Sequence, residues 1–291
     1  NDTDYLIMTA NELYNSQHID SLASHRSNIN DFNIAIVDVE NMSGYNFTCA
    51  GIHDFIQAVY NTQSAEHMSD GYLGYVLLIG DAFEDDNVTE MVCDYDGYGG
   101  DEEASDHYYA CISGSDHLPD VFIGRLSVGN STELGNVVGK ITNYETVYTS
   151  GNWKDDILLF EGQGFAGYSE FGSIDNYLQT RSQETFFLYR YTPAHATNAD
   201  HFDRYNDVYP PPTTNINDAT QRFINQLNAG KLIVNYEADH GSEFGLHPDG
   251  EGHCYTYFDV NDISSLSNGN YLPFMLLVCC ETGHFDNITP D

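Results

Sequence analysis

Positively charged residues are scarce in this chain. Its 291 residues include 9 lysines and arginines against 45 aspartates and glutamates, so the formal net charge is −36 at pH 7. A surface this acidic repels nucleic acid and anionic lipid, and it attracts divalent cations. We therefore expect no nucleic-acid partner, and we interpret most of the acidic residues as a solvated surface.

Long apolar runs and a basic, apolar leader are also absent. No apolar run approaches the roughly 18 residues that a membrane helix needs, and no leader of that kind precedes Tyr5. We expect no membrane span and, if the protein is exported, a signal that has already been removed.

Cysteine is too sparse for a disulfide scaffold, with 6 residues in the chain. Cys93 and Cys111 flank an acidic, glycine-rich loop without a core of its own. A disulfide between them would contribute about 3 kcal/mol by restricting the unfolded chain. Asn-x-Ser/Thr sequences begin at residues 1, 41, 46, 87, 130 and 287. Together these features favour a secreted or cell-surface glycoprotein.

Short apolar segments alternate with stretches of helical periodicity, which is typical of an α/β fold. Strands at 5–9, 32–39 and 75–79 enclose helices at 19–28 and 52–60. We predict mostly parallel sheets flanked by helices and arranged in two side-by-side subdomains. The first would span residues 1–81, and a catalytic subdomain would span residues 82–291.

Two apolar segments end in residues that can carry out nucleophilic chemistry. The segment at 272–278 leads to Cys280, and the segment at 231–236 leads to His240. Asp81 and Glu161 follow two further predicted strands. Ligands bind at the carboxyl ends of parallel strands, so we expect these four groups along one edge of one sheet. A thiol beside an imidazole is a nucleophile beside its base, whereas Cys279 is expected to pack inside the strand.

The chain resembles the gingipain-type cysteine peptidases, which are relatives of caspases and legumains. The resemblance follows the order and spacing of four motifs, which are Tyr75–Asp81, Ser105–Tyr109 running on to Asp120–Arg125, Asn235–Glu243, and the strand at 272–274 that leads to Cys280 and Gly283. It implies a caspase-like fold whose C-terminal part is missing here.

The resemblance also implies the roles of the catalytic residues. Cys280 would attack a peptide carbonyl, and His240 would protonate the leaving amine. The backbone N–H groups of Gly241 and Cys280 would bind the oxyanion. Glu161 matches an acidic residue that supports the histidine. In the family, an acidic residue contributes to the preference for arginine before the cleaved bond. The corresponding position in this chain is Gly172, so the resemblance does not imply specificity for basic residues.

A calcium site is expected between residues 113 and 120. Asp116 and Asp120 can supply hard oxygen ligands from one turn. By the resemblance, the carbonyl groups of Ser113 and Leu118 complete the site. The alternative is a solvated turn in which Asp116 caps the backbone. Asp81 and Asp106 would form or border a second cation site.

Three functional hypotheses remain open at this point. The favoured one is a secreted, calcium-stabilised cysteine endopeptidase that acts on proteins or peptides. The second is a sortase-like transpeptidase of a secretion system, which passes through the same acyl-enzyme. The third is an inactive calcium-binding scaffold or adhesive protein.

The chain ends soon after Cys280, whereas in the resembling family further strands follow the cysteine. An apolar strand without a neighbour invites aggregation. We therefore predict a continuation of the polypeptide, or a second chain produced by cleavage, beside the 272–278 strand.

Overall fold

The computed structural model describes residues 3–64, 73–80, 93–94, 104–147, 151–161, 187–191, 216–237, 240–242, 245–247 and 258–278. The chain forms two compact units, and the change between them falls between Asn143 and Tyr144. The predicted boundary after residue 81 is therefore wrong. The reason is a long-range pairing, because the strand Phe122–Leu126 lies beside the strand Tyr75–Ile79 in the first sheet.

The first unit is built on a parallel sheet of four strands in the order β2-β1-β3-β6. The strands are β1 (Tyr5–Thr9), β2 (Ile34–Asp38), β3 (Tyr75–Ile79) and β6 (Phe122–Leu126). Strands β4 (Cys93–Asp94) and β5 (Ala104–Ser105) form a separate antiparallel pair. The helices are α1 (Asn11–Tyr14), α2 (Gln17–Asn30), α3 (Cys49–Ser64) and α4 (Ser131–Thr146).

Strand β1 divides the first unit into two cores. Its side chains alternate between the two faces of the sheet, as the strand period requires. Leu6 and Met8 pack in the core that includes Ile52 and Ile56 of α3. Ile7 packs in the other core, with residues of α2 and α4. The predicted helix-covered parallel sheet is therefore confirmed in this unit.

The second unit contains another parallel sheet, in the order β13-β9-β7-β8. The strands are β7 (Asp156–Glu161), β8 (Phe187–Tyr191), β9 (Ile233–Glu237) and β13 (Phe274–Val278). Helix α5 (Ile216–Ala229) buries Phe223 and Leu227. A small antiparallel sheet follows β9 and contains β10 (His240–Ser242), β11 (Gly245–His247) and β12 (Phe258–Asp259).

Strand β13 is more exposed than its sequence predicts. The sequence indicated a strand buried on both faces, yet Phe274 is 65% exposed and Leu276 is 44% exposed. The reason is position, because β13 is the last strand on its side of the sheet and pairs only with β9 among the described strands. In the described part of the chain, no helix is long and apolar enough to cross a membrane.

Candidate active site

Three neighbouring strands of the second sheet end in the same row. In the parallel register, Glu161 of β7 lies opposite Glu237 of β9, and Glu237 lies opposite Val278 of β13. Neighbouring strands in a sheet are about 4.8 Å apart. The segments that leave β7, β9 and β13 therefore start from adjacent points at the carboxyl edge, where parallel sheets bind ligands.

This order brings together the strands that carry the predicted catalytic residues. His240 begins β10, three residues after the end of β9, and Cys280 follows the end of β13 by two residues. Cys280 lies outside the described residues, as does the side chain of Glu161. Sequence periodicity could not order the strands. The structure makes the strands leading to His240 and Cys280 direct neighbours.

The fourth predicted member of this row belongs elsewhere. Asp81 follows β3, which is a strand of the first sheet, whereas Glu161 ends a strand of the second sheet and His240 and Cys280 follow strands of it. The prediction that all four groups line one edge of one sheet is therefore wrong. Asp81 itself lies outside the described residues.

The backbone after His240 forms an antiparallel ladder. His240 pairs with His247, Gly241 with Leu246, and Ser242 with Gly245. Strand β11 pairs in turn with β12. The segment that contains the predicted oxyanion residue Gly241 is therefore held by neighbouring strands.

At the amino ends of the strands in the second sheet, a buried lysine holds the starts of the strands in place. Lys231 is only 1% exposed, and its Nζ atom lies 3.5 Å from Oδ2 of Asp156 and 3.0 Å from the carbonyl oxygen of Gly230. Burial lowers the pKa of Lys231, and the Asp156 carboxylate opposes that shift. Backbone hydrogen bonds from Leu232 to Asp156 and from Phe274 to Leu232 link the starts of β7, β9 and β13. This ion pair was not predicted, although a lysine directly before an apolar strand indicates a buried charge that needs a partner.

The predicted calcium loop is tied to helix α3. Gln57 donates to the carbonyl oxygen of Ile112 at 2.6 Å, and the ring of His53 lies 3.1 Å from the carbonyl oxygen of Cys111. Asp120 Oδ2 accepts hydrogen bonds from the N–H groups of Ile112 and Ser113, at 2.9 and 2.7 Å. The turn that should hold the ion therefore has a fixed base.

The two predicted calcium carboxylates each use one oxygen in backbone hydrogen bonds. Asp116 Oδ1 accepts from the N–H group of Leu118 at 3.0 Å, which is the turn-capping geometry of the alternative interpretation. All residues from Ser113 to Asp120 are exposed. Among the described residues, no group of three or more His, Cys, Asp or Glu side chains is arranged to hold a metal ion. A calcium ion here would therefore depend on carbonyl oxygens as well as on Asp116 and Asp120.

Asp106, which is predicted to form or border a second cation site, pairs with an arginine. Its two carboxylate oxygens accept hydrogen bonds from Nε and Nη2 of Arg125, at 2.9 and 2.7 Å. Nη1 of Arg125 also donates to the carbonyl oxygen of Gly80 at 3.0 Å. The Arg125 side chain is 4% exposed. A bidentate pair of this kind joins β6, the end of β3 and the segment after β5. This pair was not predicted either, although an arginine inside an apolar strand also indicates a buried charge that needs a partner.

The predicted disulfide between Cys93 and Cys111 is not formed. Cys111 is a free thiol, and its Sγ atom lies 3.4 Å from Nε2 of His107. Burial raises the pKa of the Cys111 thiol, and Asp120 and Asp116 raise it further. Cys49, at the start of α3, is disulfide-bonded instead. Spacing along the chain could not reveal this, because the fold rather than the intervening loop decides which cysteines meet.

Comparison with known proteins gives consistent matches to one family. Gingipain R2 of Porphyromonas gingivalis is 26% identical over 240 residues, which cover 82% of this chain and 27% of that protein. Lys-gingipain W83 of the same organism is 25% identical over 247 residues, or 84% of this chain and 12% of that protein. The chain thus spans about a quarter or less of these relatives.

Two solved structures share the fold. The Arg-specific cysteine proteinase gingipain R matches with a TM-score of 0.69 and 21% identity, over 98% of this chain and 56% of that chain. A structure described as a protease matches with a TM-score of 0.70 and 20% identity, over 99% of this chain and 54% of that chain. The model of peptidase family C25 matches residues 1–291. The chain therefore belongs to peptidase family C25.

Proposed function

We propose that this protein is a cysteine endopeptidase with Cys280 as its nucleophile and His240 as its general acid and base. The proposal rests on the direct adjacency of β9 and β13, whose carboxyl ends lead to these two residues. Membership of family C25 supports the same assignment. A thiol and an imidazole delivered from neighbouring strand ends are the parts that acyl transfer needs.

The proposed reaction passes through an acyl-enzyme. The Cys280 thiolate attacks a peptide carbonyl, and the N–H groups of Gly241 and Cys280 bind the resulting oxyanion. The C–N bond breaks as His240 donates its proton to the leaving amine, which leaves a thioester on Cys280. His240 then takes a proton from water, whose hydroxide attacks the thioester, releases the acid and restores the thiolate beside the protonated imidazole. Glu161, one strand away from His240's segment, would orient the imidazole.

A thiol-directed peptidyl probe tests the nucleophile. Cys280→Ala and His240→Ala should each abolish both labelling and hydrolysis while the thermal transition is retained. Cys279→Ala is the neighbouring control, and Cys111→Ala controls for a free thiol whose raised pKa makes it a poor nucleophile at neutral pH. Both controls should be labelled like the wild type. Equal labelling of the wild type and Cys280→Ala would place the nucleophile elsewhere.

Hydrolysis and the sortase-like alternative pass through the same acyl-enzyme, so labelling of the nucleophile does not distinguish them. Analysis of the products does. We expect mass spectrometry to show free carboxyl products even when an amine competes. The substrates would be proteins or peptides, and a panel varying the residue before the cleaved bond should include arginine and lysine. The relatives are named for those two residues.

A calcium ion is proposed to stabilise the 113–120 loop. Asp116 and Asp120 would be its carboxylate ligands, together with the carbonyl groups of Ser113 and Leu118. The tethering of this loop to α3 supports the proposal, because a pre-ordered turn loses less entropy when it binds an ion. Binding to the native state alone adds stability that grows with calcium concentration.

Chelation tests the calcium proposal. Removal of calcium should lower the melting temperature of the wild type, and Asp116→Ala should lower it without a further effect of chelator. Asp20→Ala, an exposed acidic residue on α2, should respond to chelator like the wild type. A wild-type melting temperature that is the same with and without chelator would exclude the site.

A further segment is proposed to cover strand β13. It would be a continuation of the polypeptide or a second chain produced by cleavage. The exposed apolar side chains from Phe274 to Leu277 support this, since they lie on an edge strand. Hydrogen exchange should protect both edges of β13 in the naturally produced protein but only the β9-facing amides in this chain. Equal exchange in the two samples would contradict the proposal.

Secretion is proposed as well. The disulfide at Cys49 supports it, because disulfides persist in oxidising compartments. Peptide mapping of the natural protein without reduction should find Cys49 oxidised. Secretion would be contradicted if Cys49 were fully reduced in the natural protein and the protein were retained inside cells.

A further inference from the structure

A cavity of about 350 Å³ opens between β2 and α3 in the first unit. Its walls are mostly apolar, with the polar side chains of Thr3, Tyr45 and Thr62 among them. Ala35 and Val37 come from alternate positions of β2, and Phe55, Ala58 and Val59 come from one stripe of α3. The α3 residues follow the spacing of a single helix face. The volume is at the lower end of the range for ligand pockets in proteins.

Small side chains on facing elements leave this space unfilled. Ala35 on the strand and Ala58 on the helix both line it, where larger side chains would close the gap. All five residues of β2 are half-buried, whereas four of the five residues of β1 are buried. The cavity is therefore open at the edge of the sheet and can accept a side chain from outside.

Strand β2 also offers backbone groups at this place. It is the last strand on its side of the first sheet and pairs only with β1 among the described strands. In a parallel pair, each strand uses the N–H and C=O groups on one side, so the outer side of β2 can accept another strand. Extended peptides bind such edges through main-chain hydrogen bonds, and a pocket for an alternate side chain gives specificity.

The charge around this edge selects the occupant. None of the 9 lysines and arginines lies between Arg26 and Arg125, a segment that includes β2, α3 and β3. Asp31 and Glu40 are exposed before and after β2. The carboxylate of Asp38, at the end of β2, caps the N–H group of Glu40. A strand added here would therefore have acidic groups at both of its ends, which favours lysine or arginine on the incoming chain.

We propose that the β2 edge binds an extended segment of a partner protein, with a large apolar side chain in the cavity and basic residues on either side. The segment would add a fifth strand to the first sheet. This site is independent of the proposed peptidase activity. Its residues belong to the first unit, and it is tested by binding and not by hydrolysis.

The probe is a fluorescent decapeptide with a central leucine among alternating threonines and with two lysines at each end. It is titrated into the full chain carrying Cys280→Ala, so that the probe is not cleaved, and fluorescence anisotropy is measured. We expect saturable binding that weakens as salt is raised. Ala58→Leu should fill the cavity and weaken binding at least tenfold. Ala50→Leu is the matched control on the same helix, since Ala50 is exposed and does not line the cavity.

Altered probes test each part of the proposal. Methylation of the backbone nitrogens that would face β2 should weaken binding at least tenfold, as should replacement of the central leucine by aspartate or of the four lysines by glutamate. If Ala58→Leu does not fold by thermal melting, Ala35→Leu fills the same cavity from the strand. Absence of saturable binding would overturn the proposal. It would also be overturned if filling the cavity, methylating the backbone and reversing the charge of the probe all left the affinity unchanged. Equal binding of the methylated probe would replace strand addition with binding in the cavity alone.

Discussion

Strands β3 and β13 have almost the same kind of sequence but opposite environments. β3 reads Tyr-Val-Leu-Leu-Ile and β13 reads Phe-Met-Leu-Leu-Val. Leu78 of β3 is 0% exposed, whereas Leu277, at the corresponding place in β13, is 39% exposed. The cause is strand order, because β3 lies between β1 and β6, whereas β13 is the last of the described strands on its side of the sheet. The amino-acid composition therefore indicates which strand is stabilised by burial, whereas the strand order determines whether other strands of the chain bury it.

The two sheets also differ in how they hold a buried cation. In the first, Arg125 makes two hydrogen bonds to Asp106, at 2.7 and 2.9 Å. In the second, Lys231 approaches Asp156 at 3.5 Å. The planar guanidinium matches a carboxylate in two places, while an ammonium acts as a point charge. We therefore expect the first sheet to depend more on its ion pair than the second does.

The largest expected effect is from Arg125→Met. It leaves the Asp106 carboxylate without its guanidinium and removes a donor from the Gly80 carbonyl oxygen. Removing one partner of a buried pair costs about 3–5 kcal/mol. Urea unfolding should show this loss, and adding Asp106→Asn should recover part of it because the unpaired charge is gone. Lys231→Met should cost less, and an equal or larger cost would reverse the comparison between the sheets.

Sequence reasoning located individual elements better than their partners. The strand at 75–79 was predicted with its observed bounds, and the helix predicted at 52–60 forms part of α3. Such elements follow from local periodicity. The domain boundary was misplaced because β6 pairs with β3 across a long stretch of chain. The exposure of β13 could not be predicted for the same physical reason, since strand order depends on contacts that are distant in sequence.

The candidate site shows the same division. Sequence could name His240 and Cys280 through their strand exits, and the resemblance gave their roles. The adjacency of β9 and β13 needed the fold. The oxidation of Cys49 also needed it, because the sequence spacing favoured a different pair. Chemistry carried by residue type was thus readable from the chain, whereas chemistry that depends on which residues meet was not.

A matched pair of leucine truncations tests the β3 and β13 comparison directly. Leu78→Ala should lower the free energy of unfolding by about 2–5 kcal/mol, because it leaves a cavity in a closed core. Leu277→Ala should cost no more than about 1 kcal/mol in this chain, since its side chain already contacts solvent. If a further segment covers β13 in the natural protein, Leu277→Ala should approach the cost of Leu78→Ala there. Equal costs in this chain would mean that β13 is already covered.

Two glycines with the same backbone angle compare a crowded turn with an open one. Gly230 and Gly44 both have a φ of +86°, which costs a non-glycine residue about 1–2 kcal/mol. A Cβ atom on Gly230 would lie 2.8 Å from Cβ of Trp153, whereas nothing lies within 4 Å of one on Gly44. Gly230→Ala should therefore cost about 1–3 kcal/mol more than Gly44→Ala. Equal losses of unfolding free energy would show that Trp153 moves aside freely.

The smallest expected effect on folding comes from Phe274→Lys at the open edge of the second sheet. Phe274 is 65% exposed, so its replacement should change the free energy of unfolding by no more than about 0.5 kcal/mol. Self-association should nevertheless fall, because a lysine on an edge strand hinders pairing with another chain. Light scattering at increasing protein concentration measures this, with Ser267→Lys, an exposed position before β13, as the control for added charge. If both variants reduce association equally, the decrease does not come from blocking the edge of β13. If only Phe274→Lys reduces association, β13 is the surface through which copies of this chain associate.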